Sequence, residues 1–146
     1  MEKRLNYYKA SPEAIKELGA LEVAIVKRGL ETSLANLVKL RASQINGCAY
    51  CIDTHAMDAR NGGETERRLY AVSVWRETPF FSARERAALN WTESLTLIAN
   101  THAPDADYVF LRENFSESEM VDLTLMIGAI NIWNRIGVGF RVSPKA

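Results

Sequence analysis

Cysteine is scarce in this chain, and so is histidine: each occurs twice in 146 residues. Two thiols cannot build the multi-bridge framework of a small disulfide-stapled fold. A zinc site needs four ligands, and the two thiols with the one nearby histidine supply three. Neither a metal nor a cofactor is expected. Excess charge of one sign is also missing, since Lys+Arg and Asp+Glu both number 18. A neutral chain offers no basic surface, so neither nucleic acid nor an anionic membrane is an expected partner. The same neutrality leaves little repulsion between copies, so self-association is allowed. No long apolar run is unbroken. The most apolar stretch, Met120 to Phe140, contains Asp122, Asn131, Asn134 and Arg135, and reads as a buried helix rather than a membrane span. The opening residues, MEKRLNYYKASPEA, lack the apolar core of a signal peptide, so the cytoplasm is the expected compartment. Sustained alternation of period two is absent as well, and no strand is expected.

What remains is an ordinary globular composition, 47% apolar and 25% charged, enough for one domain over residues 1–146. Helical signals fill it. Met1 to Ala10 reads as an extended lead-in, with Tyr7 and Tyr8 available to pack on the body. Ser11-Pro12-Glu13 starts a first helix that Gly29 closes. Thr32 or Ser33 caps a second, whose pattern breaks at Asn46-Gly47. A third holds Cys48 to Asn61. A short fourth runs from Thr65 through Val74, and Trp75 to Phe81 is a loop. Ser82 and Glu85 form a capping box opening a fifth helix that extends through Ile98. Asp105 to Asn114 is a short sixth. Ser116 and Glu119 form a second capping box for the last helix, apolar on nearly every side and so buried centrally or between subunits. Gly128, Gly137 and Gly139 either permit close helix contact or end it. The expected fold class is all-α, a single domain of about seven helices.

The chemistry concentrates in Leu37 to Gly63. Cys48 and Cys51 sit three apart at a helix start, and His55 lies four beyond Cys51. Such spacing puts two thiols and an imidazole on one helical face. A free thiol of pKa about 8.5 is only roughly 3% ionised at pH 7. The helix N-terminus favours the anion, and His55 can take the proton from Cys51. Attack on a hydroperoxide would give a sulfenic acid, which the second thiol condenses with to form a disulfide. An external dithiol would then reduce the pair. The plainer readings are two small core cysteines and a structural histidine. For Trp75, Trp91 and Trp133, a core or interface role is expected. The charge run Glu64 to Arg68 reads as a solvated face.

The run Leu40-Arg-Ala-Ser-Gln-Ile-Asn-Gly-Cys-Ala-Tyr-Cys-Ile-Asp-Thr-His55, with Trp75-Arg-Glu77, Phe81 to Leu89 and Trp91 to Thr96, resembles the alkylhydroperoxidase AhpD-like core of the carboxymuconolactone decarboxylase superfamily. The resemblance implies an all-helical fold and a homotrimer or trimer-based homohexamer. It also implies thiol-dependent peroxidase or disulfide reductase activity, with a hydroperoxide as substrate and an external dithiol or protein as reductant. Cys48, Cys51 and His55 match the family's active centre, with Cys51 cast as the attacking thiol and Cys48 as the resolving one. The sequence departs from the pattern twice. Asn36 stands where the best-studied members carry a relay glutamate, and Tyr50 where they carry a histidine. Glu93 is the candidate replacement carboxylate, with Asp53 and Glu64 behind it. Two alternatives are a carboxymuconolactone decarboxylase-like enzyme, which needs no thiol pair, and a non-enzymatic redox-sensing helical assembly.

Overall fold

The computed structural model describes residues 2–144, and all the regular structure in them is helical. The elements are α1 (Tyr7–Ala10), α2 (Pro12–Lys27), α3 (Thr32–Asn46), α4 (Ala49–Asn61), α5 (Glu66–Ala71), a 3-10 helix (Val72–Glu77), α6 (Ala83–Thr96), α7 (Ile98–Thr101), α8 (Asp105–Arg112) and α9 (Glu117–Gly139). The all-α class is as expected. The number of helices is higher, nine α-helices and one 3-10 helix among the described residues, because three short pieces that the sequence pattern assigns to coil or to longer helices form helices of their own.

Each difference has a local cause. The lead-in is not extended throughout: Asn6 Oδ1 accepts the Lys9 N–H at 3.2 Å and caps α1. Tyr7 is buried there, its ring 6.4 Å from that of Trp133. Neither Thr32 nor Ser33 caps α3; the cap position is Glu31, without a side-chain bond to the helix, because Arg84 engages its carboxylate at 2.8 and 3.0 Å. The predicted loop from Trp75 begins inside the 3-10 helix. Burial of Val72 and Trp75 holds that segment in place, and Arg86 donates to the Trp75 and Thr78 carbonyls. The fifth predicted helix stops at Thr96, where Leu97 leaves helical geometry and α7 follows. Both capping boxes form as the sequence predicts. In the charge run Thr65, Glu66 and Arg67 are exposed as expected, while Arg68 bonds to Glu64 at 2.8 Å and also reaches Glu85 and the Phe80 carbonyl.

The second helix of the sequence pattern, α3, is the hub. It packs on α4, α6 and α9. Its Leu34, Ala35 and Val38 join a cluster with Ala88, Trp91, Leu123, Met126 and Ile127. On its other side Leu37 and Leu40 join Val72, Trp75, Phe81 and Leu89. A helix buried on two sides can anchor a small domain, since each fully buried Leu or Val contributes about 1.5–3 kcal/mol.

The apolar last helix is only partly buried. Leu123, Met126, Ile127 and Ile130 face the core, while Val121, Leu125 and Ile132 are exposed. Its polar residues set its register against α3. Asn134, 1% exposed, donates to Ser43 Oγ at 2.9 Å. Asn46 donates to Asn134 Oδ1 at 2.9 Å and to Asn131 Oδ1 at 3.0 Å. Asn131 reaches Thr96 Oγ1 at 3.1 Å. A one-residue slip would leave several of these groups buried without partners, at about 1–3 kcal/mol each. No helix among the described residues is long and apolar enough to cross a membrane.

Candidate active site

Gly47 ends α3 in the left-handed conformation, φ +65°, which glycine adopts without a Cβ penalty. The turn makes Cys48 the cap of α4: its Sγ accepts the Cys51 N–H at 3.3 Å. Capping by a sulfur leaves both thiol groups at the positive end of the helix, where a thiolate is favoured. The two cysteines are joined in a disulfide with their Cα atoms 5.3 Å apart. Cys48 is 1% and Cys51 4% exposed.

The α3–α9 asparagine network places Gly137 directly over the sulfurs. A Cβ added at Gly137 would lie 2.6 Å from Cys48 Sγ and 3.4 Å from Cys51 Sγ. Of the two readings of the late glycines, close contact is the one realised at Gly137, which lies inside α9. Each sulfur borders its own cavity, and Gly137 borders both. Cys51 opens on a cavity of about 140 Å³ walled by Tyr7, Tyr8, Tyr50, Trp133 and Ile136, with His55 and Glu22 supplying its charge chemistry. Cys48 borders a cavity of about 190 Å³ beside Ala49, Arg141 and Pro144.

His55 follows Cys51 by one helical turn and lines the same cavity. Burial pushes its pKa from 6.5 down to about 4, Lys39 pushes in the same direction, and Glu22 opposes them. At pH 7 the imidazole is therefore neutral, with a free ring nitrogen, and burial lowers its basicity. Its Nδ1 is buried with no hydrogen-bond partner among the described residues. Asp58 Oδ2 is 3.6 Å away, beyond bonding distance, on a side chain 55% exposed. Tyr7, in the cavity wall, is held as a neutral phenol, its pKa raised by burial and by Tyr8.

The structure brings Cys48, Cys51 and His55 together and leaves Glu93 elsewhere. Glu93 accepts from Arg41 Nε at 2.7 Å and Trp75 Nε1 at 2.9 Å, and also pairs with Arg76. Burial raises its pKa, but the bonds from Arg76, Trp75 and Arg41 outweigh that and hold it below the usual carboxylate range. It borders neither cysteine cavity. This carboxylate braces α3, the 3-10 helix and α6. Arg41 finds its partner within the chain. Asn36 is buried in a different recess, beside Glu64 and Arg68, so Glu64 is also remote, and Asp53 is exposed.

Sequence reasoning missed Glu22. It arrives from α2, and nothing in the linear pattern links it to the cysteines. Trp133 Nε1 donates to its Oε2 at 3.1 Å, and Lys39 Nζ lies 2.9 Å from Oε1. That ion pair lacks the angle of a directed hydrogen bond, and Oε1 is buried without a donor. Among the described residues no group of three or more Cys, His, Asp or Glu side chains is assembled as a metal site.

A family model described as the carboxymuconolactone decarboxylase family matches residues 10–94. The chain is 43% identical over 147 residues to the uncharacterised protein YdfG of Bacillus subtilis (strain 168), spanning 99% of this chain and all of that one. A crystal structure of a protein of unknown function from Agrobacterium tumefaciens, described as a candidate antioxidant defence protein AhpD, superposes with a TM-score of 0.94. Identity there is 49%, over 99% of this chain and 100% of the other. The AhpD core of a peroxidase-related, uncharacterised protein from Ralstonia eutropha JMP134 gives a TM-score of 0.81 at 20% identity, over 94% and 74% of the two chains. That last likeness speaks for the fold alone.

Proposed function

The chain is an AhpD-like member of the carboxymuconolactone decarboxylase family, and from that premise we propose that it is a thiol-dependent peroxidase and disulfide oxidoreductase. One observation carries the reading: Cys51, bonded to Cys48, opens on an aromatic cavity that also holds a neutral buried histidine. Its volume is comparable to that of an apolar cavity that takes a benzene-sized guest, about 150 Å³, so a small organic hydroperoxide fits.

The cycle starts from the dithiol. Cys51 gives its proton to His55, and the thiolate attacks the distal peroxide oxygen. An S–O bond forms as the O–O bond breaks, and the alkoxide leaves as an alcohol with the proton from His55. Cys51 is now a sulfenic acid. Cys48 sulfur attacks it, the S–O bond breaks, and water leaves with the Cys48 proton, giving the disulfide. The pair has been oxidised by two electrons and the peroxide reduced by two. A dithiol or a protein reductant then restores both thiols by exchange. The joined cysteines favour this chemistry over a lactone decarboxylase, which has no use for them.

The working unit is a homotrimer or trimer-based hexamer in the cytoplasm. Support comes from Val121, Leu125 and Ile132, exposed on one side of α9, an apolar stripe that a second copy would cover. The direct test is peroxide consumption with a dithiol reductant. Wild type should turn over and Cys51→Ser should not; equal rates would reject the assignment.

A further inference from the structure

The cavity beside Cys51 contains two loose ends. Of the three buried side-chain atoms without a hydrogen-bond partner among the described residues, two belong to residues that line it: Glu22 Oε1 and His55 Nδ1. The third, Ser94 Oγ, lies outside it. Glu22 Oε1, ion-paired with Lys39 but accepting no directed hydrogen bond, keeps lone pairs open to a donor, and a protonated imidazole is a donor on both nitrogens. Each therefore supplies what the other lacks once His55 carries a proton.

We propose that Glu22 is the carboxylate that supports His55 while the imidazole holds the Cys51 proton. It is a positioning residue, acting on the thiol through the histidine, and it fills from α2 the role that Asn36 cannot fill from α3. The inference rests on the Cys51–His55 chemistry proposed above. The carboxylate is pre-set for the task. Trp133 from α9 holds Oε2, and Lys39 from α3 sits beside Oε1. The Glu22 side chain is 17% exposed and that of Lys39 15%, so little water screens them. The other titratable groups near His55 are Tyr7 and Tyr8 from α1 and Tyr50 and Asp58 from its own helix. Tyr7 is held as a neutral phenol by burial and by Tyr8, and Asp58 is half in solvent. Glu22 offers the imidazolium a negative charge sheltered from solvent, set against the equally buried positive charge of Lys39. In the dithiol state the proton leaves Cys51 sulfur for one ring nitrogen. Nδ1–H is then the proton offered to Glu22 Oε1 across the shared cavity, directly or through one water, and no other proton moves.

The test reads the thiol without any peroxide. Reduced protein is alkylated with iodoacetamide across pH 5–9, and the Cys51 peptide is followed by mass. Glu22→Gln should move the midpoint for Cys51 reactivity upward by about one pH unit, a roughly tenfold loss of rate below it. Asp58→Asn should leave the profile in place. If Glu22→Gln fails to fold, Trp133→Phe frees Oε2 and should shift the profile in the same direction by less. An unmoved profile in the folded Glu22 variant, or in Trp133→Phe where that stands in, overturns the proposal. So does a shift produced by Asp58→Asn instead. A shifted profile in a protein that turns over no peroxide supports the proposal and overturns only the peroxidase reading.

Discussion

Replacing Gly137 by alanine sets two effects of known sign against each other. Inside a helix, Gly→Ala gains about 0.5–1 kcal/mol because the unfolded chain loses freedom. At Gly137 the new methyl would sit 2.6 Å from Cys48 Sγ and 3.4 Å from Cys51 Sγ. The first distance demands movement. Neither side yields cheaply: Cys48 is bonded to Cys51 and caps α4, and α9 is pinned to α3 through Asn134 and Asn131. Overpacking of this kind costs typically 1–3 kcal/mol. The clash should win, leaving Gly137→Ala about 1–2 kcal/mol less stable. At this chain length that lowers Tm by roughly 2–8 °C, taking about 2–4 °C per kcal/mol. Gly19→Ala is the control, inside α2 with nothing within 4 Å of an added Cβ; it should raise Tm by a few degrees. Thermal unfolding of the oxidised proteins reads both. A double-mutant cycle sharpens the test, because in a Cys48→Ala background the sulfur is gone and Gly137→Ala should be neutral or stabilising. A Gly137→Ala protein that matches the Gly19 control would refute the close packing of α9 on the disulfide.

Three further outcomes follow from the same geometry. The unfolded chain takes up a proton at His55 near pH 6.5 and the folded chain near 4, so stability falls as pH drops through that window. At about 1.36 kcal/mol per unit the loss approaches 3 kcal/mol, and urea unfolding of His55→Leu should show a correspondingly flatter slope between pH 7 and 4. Glu93→Gln, which breaks a largely buried ion pair with Arg41, should cost about 2–3 kcal/mol in denaturant and leave peroxide turnover per folded molecule unchanged; a selective loss of turnover would return Glu93 to the relay. Leu125→Asp, placed on the exposed stripe of α9, should lower the assembly mass in light scattering, whereas an unchanged multimer would put the subunit contact elsewhere.

What could be read from the sequence was local. Ser82 with Glu85 and Ser116 with Glu119 bond within one turn, so their spacing announces two helix starts. Cys48, Cys51 and His55 lie within two helical turns of sequence, and the structure makes Cys48 the cap of α4 and sets Cys51 and His55 on one cavity wall. What escaped was the part assembled across the fold. Glu22 and Trp133 reach the cavity from α2 and α9 because α3 holds both helices in place, which no periodicity records. Glu93 stood out by lying in a familiar run, yet three donors on neighbouring elements claim it. The 3-10 helix was missed because Trp75 is held by tertiary partners rather than by propensity.

Mass spectrometry of the reduced protein after brief, mild peroxide treatment bears most directly on the dithiol account. Formation of an intramolecular Cys48–Cys51 bond, seen as loss of two hydrogens and abolished in Cys51→Ser, is the result expected. Thiols that stay reduced, or a Cys51 that gains oxygen and never joins Cys48, would contradict it.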